Sequence, residues 1–247
     1  APGIDFIRPF GWDENLAPHA WQAGPQTTLL RSQLAAMENG ALFVMTVPKS
    51  PYRCPPGPYE RACVVADYLR MNKPNSKVIL LDANPNITAE PHNFGNAFAT
   101  IYKDLIAYYP NATITAFDHA NKRVNTSIGP LDYGVLNYIP DQQAGRIVRD
   151  AGLATDPTGR WAPVDVLNYA STAHPDIHAL GDSQASNKPK SGHMASSQAK
   201  VCADAMLRAF AGDAPYPEPA TNSACYSPIT LSTASWLTAV YQYNSLN

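Results

Sequence analysis

The sequence predicts an α/β protein built on a mainly parallel sheet. Two observations carry this. Short apolar runs alternate with longer helical patterns along the chain, and the first well-marked unit reads strand, turn, helix, strand. That unit consists of the apolar run 41–47, a proline-rich turn over 51–58, a helical pattern over 59–69 and the run 77–82.

The chain has 247 residues, a net charge of −2 and only 15% charged residues, so nothing points to nucleic acid or an anionic membrane surface. No apolar run approaches the roughly 18 residues of a membrane span. The 23 prolines, 14 glycines and 13 tyrosines suggest a loop-rich, exported style of protein. The start, Ala1-Pro2-Gly3, carries no signal peptide and no Met, and reads as processed or incomplete.

Taken in order, 26–37 is a helix with Leu29, Leu30, Leu34 and Met37 on one face, stopped near Gly40. The strand–turn–helix–strand unit follows. A helix is expected over 94–109, with Phe98, Ile101, Leu105 and Ile106 as its apolar stripe. Strands are expected over 112–117 and 131–139, and a short helix over 143–151. The runs 161–167 and 177–182 read as two further strands. A loop over 183–191 feeds a helix from Gly192 to about Phe210. The final run, 235–243, is a strand whose partner is expected to lie outside the chain.

The turn Pro51-Tyr52-Arg53-Cys54-Pro55-Pro56-Gly57-Pro58 is the most informative stretch. Its four prolines each hold φ near −65°, and the turn presents one cysteine at the carboxyl end of a strand, where α/β folds place their chemistry. Asp82 stands about where a ribose-binding acid would sit in a dinucleotide site. The glycines that let backbone approach a pyrophosphate are missing, however, and prolines have no N–H to offer, which argues against NAD(P).

A second constellation is Gly181-Asp182 followed by Lys190-Ser191-Gly192. A strand ending in Gly-Asp sets a carboxylate at a sheet edge, where it can accept from a ribityl or ribose hydroxyl. Ser191-Gly192 opens a helix whose positive end suits an electron-rich ring such as the flavin pyrimidine edge, and Lys190 would add to that field. The alternative is a surface turn that caps a helix. Of the four cysteines, Cys63 and Cys202 lie in helical patterns and read as small buried hydrophobes. Cys54 and Cys225 both lie in proline-flanked loops, which leaves a structural or a redox disulfide open for them. No C-x-x-C pair and no cysteine–histidine spacing suggests a metal site.

With Tyr52-Arg53-Cys54-Pro55-Pro56-Gly57-Pro58-Tyr59-Glu60-Arg61, Gly181-Asp182, Pro189-Lys190-Ser191-Gly192 and Ala224-Cys225-Tyr226-Ser227 in that order, the chain resembles the flavoprotein subunit of flavocytochrome c sulfide dehydrogenase. That family is related to sulfide:quinone oxidoreductases and, more distantly, to glutathione reductase. The resemblance implies a glutathione-reductase-like fold in four parts. Residues 1–40 would be the remainder of an incomplete FAD-binding domain, and 41–160 a degenerate NAD-type Rossmann domain. Residues 161–212 would be the returning FAD-binding segment, and 213–247 the start of a C-terminal α+β interface domain.

It further implies that Cys54 and Cys225 form a redox disulfide beside the flavin. Pro2, Gly3, Gly181, Asp182, Lys190, Ser191 and Gly192 would contact FAD, whose pyrophosphate fingerprint is not in this sequence. Sulfide would be the substrate, a c-type cytochrome subunit the electron acceptor, and the periplasm the compartment, with the missing N-terminal part as a further partner. A quinone-reducing relative and a non-catalytic fragment are the alternatives.

Overall fold

The computed structural model describes residues 3–243, so Pro2 lies outside the described residues. In chain order the elements are β1 (Ile4–Phe6), α1 (Pro25–Ala36), β2 (Leu42–Val47), α2 (Gly57–Asn72), β3 (Lys77–Asp82), α3 (Pro91–Ala99) and β4 (Ile106–Pro110). Then come β5 (Ile114–Asp118), β6 (Arg123–Thr126), β7 (Gly129–Asp132), β8 (Val135–Asn137), β9 (Gln142–Ala144) and α4 (Arg146–Asp150). The chain closes with α5 (Gly192–Ala211), β10 (Ala220–Pro228) and β11 (Ala234–Gln242).

The two apolar runs form the centre of a four-stranded sheet in the order β4-β3-β2-β8, all parallel. Strands that alternate between two covered faces need apolar residues at nearly every position. Phe43, Met45, Val78 and Leu80 face α2 and α3, where Tyr59, Leu69 and Phe94 complete one core. Val44, Ile79, Leu81 and Leu136 face the β5–β6–β7 meander on the other side. Each such fully buried Leu or Phe contributes about 1.5–3 kcal/mol. A separate core gathers β1, β9, α4 and Trp161 around Ile4, Phe6, Val148 and Ala179.

Four sequence expectations are corrected. The single helix over 94–109 is α3 followed by the strand β4. Thr100 closes α3 through bonds back to Asn96, and the β-branched and aromatic residues of 106–110 pair with the open edge of β3. The strand over 131–139 is two strands in different sheets, β7 and β8. The break falls at Gly134, where a Cβ would stand 2.6 Å from that of Ala41. The helix over 143–151 is β9, paired antiparallel with β1, and then the short α4. The runs 161–167 and 177–182 make only isolated bridges. Residues 172–178 are exposed and cannot form a buried strand, and Gly181–Ser183 is one turn of 3-10 helix.

The last strand, β11, pairs antiparallel with β10 of this same chain, so its partner is not missing. Cys225 accordingly sits on β10 opposite Leu237 and not in a loop. Cys63 and Cys202 are buried, as their helical settings require.

Candidate active site

The turn that leaves the carboxyl end of β2 is fixed at nearly every backbone group. The Arg53 N–H donates to Gln142 Oε1 at 2.7 Å, and the Arg53 carbonyl accepts from the Trp21 indole at 3.1 Å. The Cys54 N–H donates to the Lys190 carbonyl at 2.8 Å, and the Cys54 carbonyl accepts from the Gly57 N–H at 2.9 Å. Tyr52, buried, holds Thr88 and the Pro55 carbonyl with its hydroxyl. This framework holds Cys54 at φ 57°, a left-handed conformation that costs a residue with a Cβ about 1–2 kcal/mol. The sulfur is therefore set in one place.

The segment bonded to that turn carries the other predicted residues. Asp182, on the 3-10 turn, receives the Arg53 Nε at 2.5 Å on one oxygen, while its Oδ1 is buried with no partner among the described residues. Gly181 donates to Gln198 of α5 at 2.7 Å, and Ser183 donates to the carbonyl of Gly3. Ser191 caps α5 by accepting from the Met194 N–H, and the space beside Gly192 is open.

Lys190 is turned inward. Its ammonium donates to the carbonyls of Asp182 at 2.8 Å and Gln184 at 2.6 Å and lies 3.8 Å from the Trp161 ring centroid. Burial pulls its pKa down to about 7, opposed by Asp182. Two of its three hydrogens are thus bonded within the fold, so Lys190 holds the 182–190 loop more directly than it addresses a ligand.

The β10–β11 hairpin brings in Cys225. Ser223 meets Ser191 at 3.0 Å, the Asn222 N–H donates to Ser197 at 3.0 Å, and the Ala224 N–H donates to His193 Nδ1 at 3.1 Å. From the other side Ser227 donates to Glu90 Oε1 at 2.8 Å. The result is a cavity of about 470 Å³ whose walls include Cys54, Cys225, Asp182, Lys190, Ser191 and Gly192. Gly3 and Gly181 are not among the residues that line it. Both cysteines are free thiols in this structure.

Burial pushes the Cys54 thiol up to about 11, with Glu60 and Cys225 adding to the effect. Burial also raises Cys225, with Glu90 adding. Neither thiol is ionised at neutral pH by its surroundings.

Glu60 is a site residue that the sequence did not single out. It lines the same cavity, its carboxylate makes no hydrogen bond among the described residues, and burial raises its pKa against the pull of Arg61. Its only sequence signal is an acid in the first turn of a helix, which usually answers the helix dipole.

Asp82 is committed elsewhere. It is fully buried and accepts from the Tyr59 and Tyr108 hydroxyls at 2.7 and 3.0 Å and from Asn84 at 2.8 Å. The acid that would hold a ribose is saturated by this chain's own side chains, and Gly57-Pro58 occupies the place of a phosphate loop.

The residues present fit the ring-and-ribityl end of FAD. The unpartnered Oδ1 of Asp182 is an acceptor for a sugar-like hydroxyl, and the open, Ser-capped end of α5 suits an electron-rich ring edge. Among the described residues there is no glycine-rich loop for the pyrophosphate.

A parallel sheet in this strand order, joined to a second core and an antiparallel hairpin, defines the class: the FAD-dependent pyridine nucleotide-disulfide oxidoreductase fold. One such enzyme from Desulfovibrio vulgaris has 20% identity and a TM-score of 0.52, covering 94% of this chain and 60% of that one. An NAD-dependent persulfide reductase from A. fulgidus has 14% identity and a TM-score of 0.57, covering 90% of this chain and 43% of that one. A chain of the mitochondrial ATP synthase of Tetrahymena thermophila, at 15% identity, has a TM-score of 0.67 and covers 91% and 55%. At these identities the likeness is one of fold, and the chain spans about half the length of the structures it matches.

The family itself is given by residues 27–140. They match the family of the central part of the sulfide dehydrogenase (flavocytochrome c) flavoprotein chain.

Proposed function

We propose that this chain is the part of an FAD-dependent sulfide dehydrogenase that carries its redox-active thiol pair. The observation that carries the reading is that Cys54 and Cys225, 171 positions apart (225 − 54), line one cavity with Asp182 and Gly192.

In the oxidised protein, hydrosulfide attacks one sulfur of a Cys54–Cys225 disulfide. A new S–S bond forms, the old one breaks, and the other cysteine leaves as a thiolate. A thiolate at Cys54 is poorly held, because burial and Glu60 both disfavour its charge. A second sulfur nucleophile then takes the outer sulfur and frees the other cysteine as a thiolate. The two thiolates can close to the disulfide by giving up one electron pair, and the poorly held charge at Cys54 favours that release. Bound FAD would supply a two-electron acceptor that can be re-oxidised one electron at a time. Asp182 would hold its ribityl chain, and the N-terminal end of α5 would offset negative charge on the reduced ring. The family's name supports a c-type cytochrome as the next acceptor. A periplasmic location follows from the same family reading.

The test is single-turnover reduction in the full-length protein. Sulfide should bleach the visible flavin band of the wild type within the dead time of a stopped-flow mixer or shortly after. A Cys225→Ser variant that keeps its flavin should lose this reaction by at least about a hundredfold, as for other essential nucleophiles. An unchanged rate sinks the mechanism.

A further inference from the structure

A second cavity, of about 640 Å³, lies at the other end of the parallel sheet from the cysteines. Leu42 and Val135, the first residues of β2 and β8, line it, whereas Cys54 follows the carboxyl end of β2. Its size falls within the range of about 300–1,000 Å³ seen for small-molecule sites. Leu16 and Met37 add to its apolar surface. None of its lining residues borders the cavity of the two cysteines.

Helix α1 and its exit bring acceptors to this cavity. The Gln33 amide nitrogen donates to the carbonyls of Asn15 and Leu16 at 3.4 and 3.3 Å. Two carbonyls on one end of the amide fix that end as nitrogen, so the oxygen is the end left over. That Oε1 is buried and has no partner among the described residues, a costly state until a donor reaches it. Glu38, exposed at the rim, adds a carboxylate that enters no ion pair among the described residues.

The β5–β6–β7 meander brings donors. The Asp13 N–H donates to His119 Nε2 at 3.3 Å, which leaves the ring proton of neutral His119 on Nδ1. Nδ1 then donates to the buried Tyr133 hydroxyl oxygen at 3.1 Å, and the hydroxyl hydrogen of Tyr133 remains free to donate. Lys122, exposed beside it, supplies an ammonium that enters no ion pair among the described residues. Asp132, the acid of that wall, is held by two N–H groups of Arg123 at 2.5 and 3.0 Å.

We propose that this cavity binds a free amino acid with an apolar side chain. The ammonium group of the ligand is received by Gln33 Oε1 and Glu38, and its carboxylate by Lys122 and the Tyr133 hydroxyl. The side chain packs on Met37, Leu42 and Val135. A ligand with one charge satisfies half of these groups and opposes the rest. A simple carboxylate leaves Gln33 Oε1 unfilled and faces Glu38; a simple amine leaves the Tyr133 hydrogen unused and faces Lys122. The inference goes beyond the sulfide chemistry and shares no residue with it.

The experiment is an NMR titration of the full-length protein with three probes: L-leucine, 4-methylpentanoate, which lacks the ammonium group, and 3-methylbutylamine, which lacks the carboxylate. Leucine should bind saturably, and each analogue should bind about tenfold or more weakly, the loss expected for a charge-assisted hydrogen bond. Lys122→Met should weaken leucine by about threefold or more and leave the amine unchanged, and Glu38→Gln should weaken leucine similarly and leave the carboxylate unchanged. Both substitutions are at exposed positions, so the fold is kept. The proposal is overturned if leucine shows no saturable binding up to roughly 10 mM, a free energy of only about 3 kcal/mol. It is equally overturned if either analogue matches leucine, or if either variant leaves the affinity for leucine unchanged. The readout needs neither flavin nor sulfide, so it stands apart from the outcome of the sulfide test.

Discussion

Glu60 and Cys54 face the same cavity, and their charges oppose each other. Glu60 is the largest contributor after burial to the raised thiol pKa of Cys54. Removing that negative charge favours the thiolate, so Glu60→Gln should lower the Cys54 pKa from about 11. The reduced chain should then be alkylated faster at Cys54 at a fixed pH near 8. An unchanged alkylation profile would mean that Glu60 does not feel the sulfur. Cys54 was legible in the sequence because prolines on both sides left it no helical or strand role. Glu60 was not, because an acid at a helix start looks the same whether it faces solvent or a cavity. That Lys190 falls beside Ser191 and Gly192 at the cavity was legible, but the inward turn of its ammonium was not, since the two carbonyls it bonds belong to a loop without periodicity.

At the level of elements, the entry to α2 is closely packed against the site. A Cβ on Gly57 would stand 2.9 Å from Cys54 Sγ and 2.9 Å from the Trp21 ring. Gly57→Ala should therefore push the sulfur out of its position while leaving the α2 helix intact. The expected outcome is slower formation of the Cys54–Cys225 disulfide under a defined thiol–disulfide buffer, with a loss of stability of about 1–3 kcal/mol from overpacking. Normal closure of the disulfide would show that the turn yields more easily than its hydrogen bonds suggest. The sequence predicted β2, α2, β3 and α5 well because each has one strong period and an unambiguous stop. It failed over 94–109 because a stripe at helical spacing continued into residues that prefer a strand, and the edge of β3 decided the outcome. It failed at 177–182 because an apolar run with a Gly-Asp end resembles a strand even when Ile177 and His178 are exposed and the run makes only an isolated bridge. Cys225 was assigned to a loop because Pro228 follows it, whereas a hairpin tolerates proline at a strand end.

At the scale of the molecule, the site depends on chain segments far apart in sequence being held together: the turn at 53–54, the loop at 182–190, and the core around Trp161. Lys190 touches all three, through its carbonyl to Cys54, its ammonium to Asp182 and Gln184, and its position over the indole. This has a consequence for stability. The folded chain holds the Lys190 pKa at about 7, below the 10.5 of an ordinary lysine, chiefly by burial. Between these values the unfolded chain binds a proton that the folded chain does not, so this group makes stability rise with pH across that window. Below about 7 both states are protonated, and the cost of burying the charge is present in full. Lys190→Met removes the titration but leaves the carbonyls of Asp182 and Gln184 unpaired, which costs about 1–3 kcal/mol at every pH. Urea midpoints for both chains should therefore separate further as pH rises from 7 to 10, with the wild type gaining on the variant. The raised-pH gain should be absent from the variant itself apart from titrations that the two chains share. A constant difference between the two curves would show that Lys190 keeps its proton throughout, and that the two carbonyls and the Trp161 face compensate its burial.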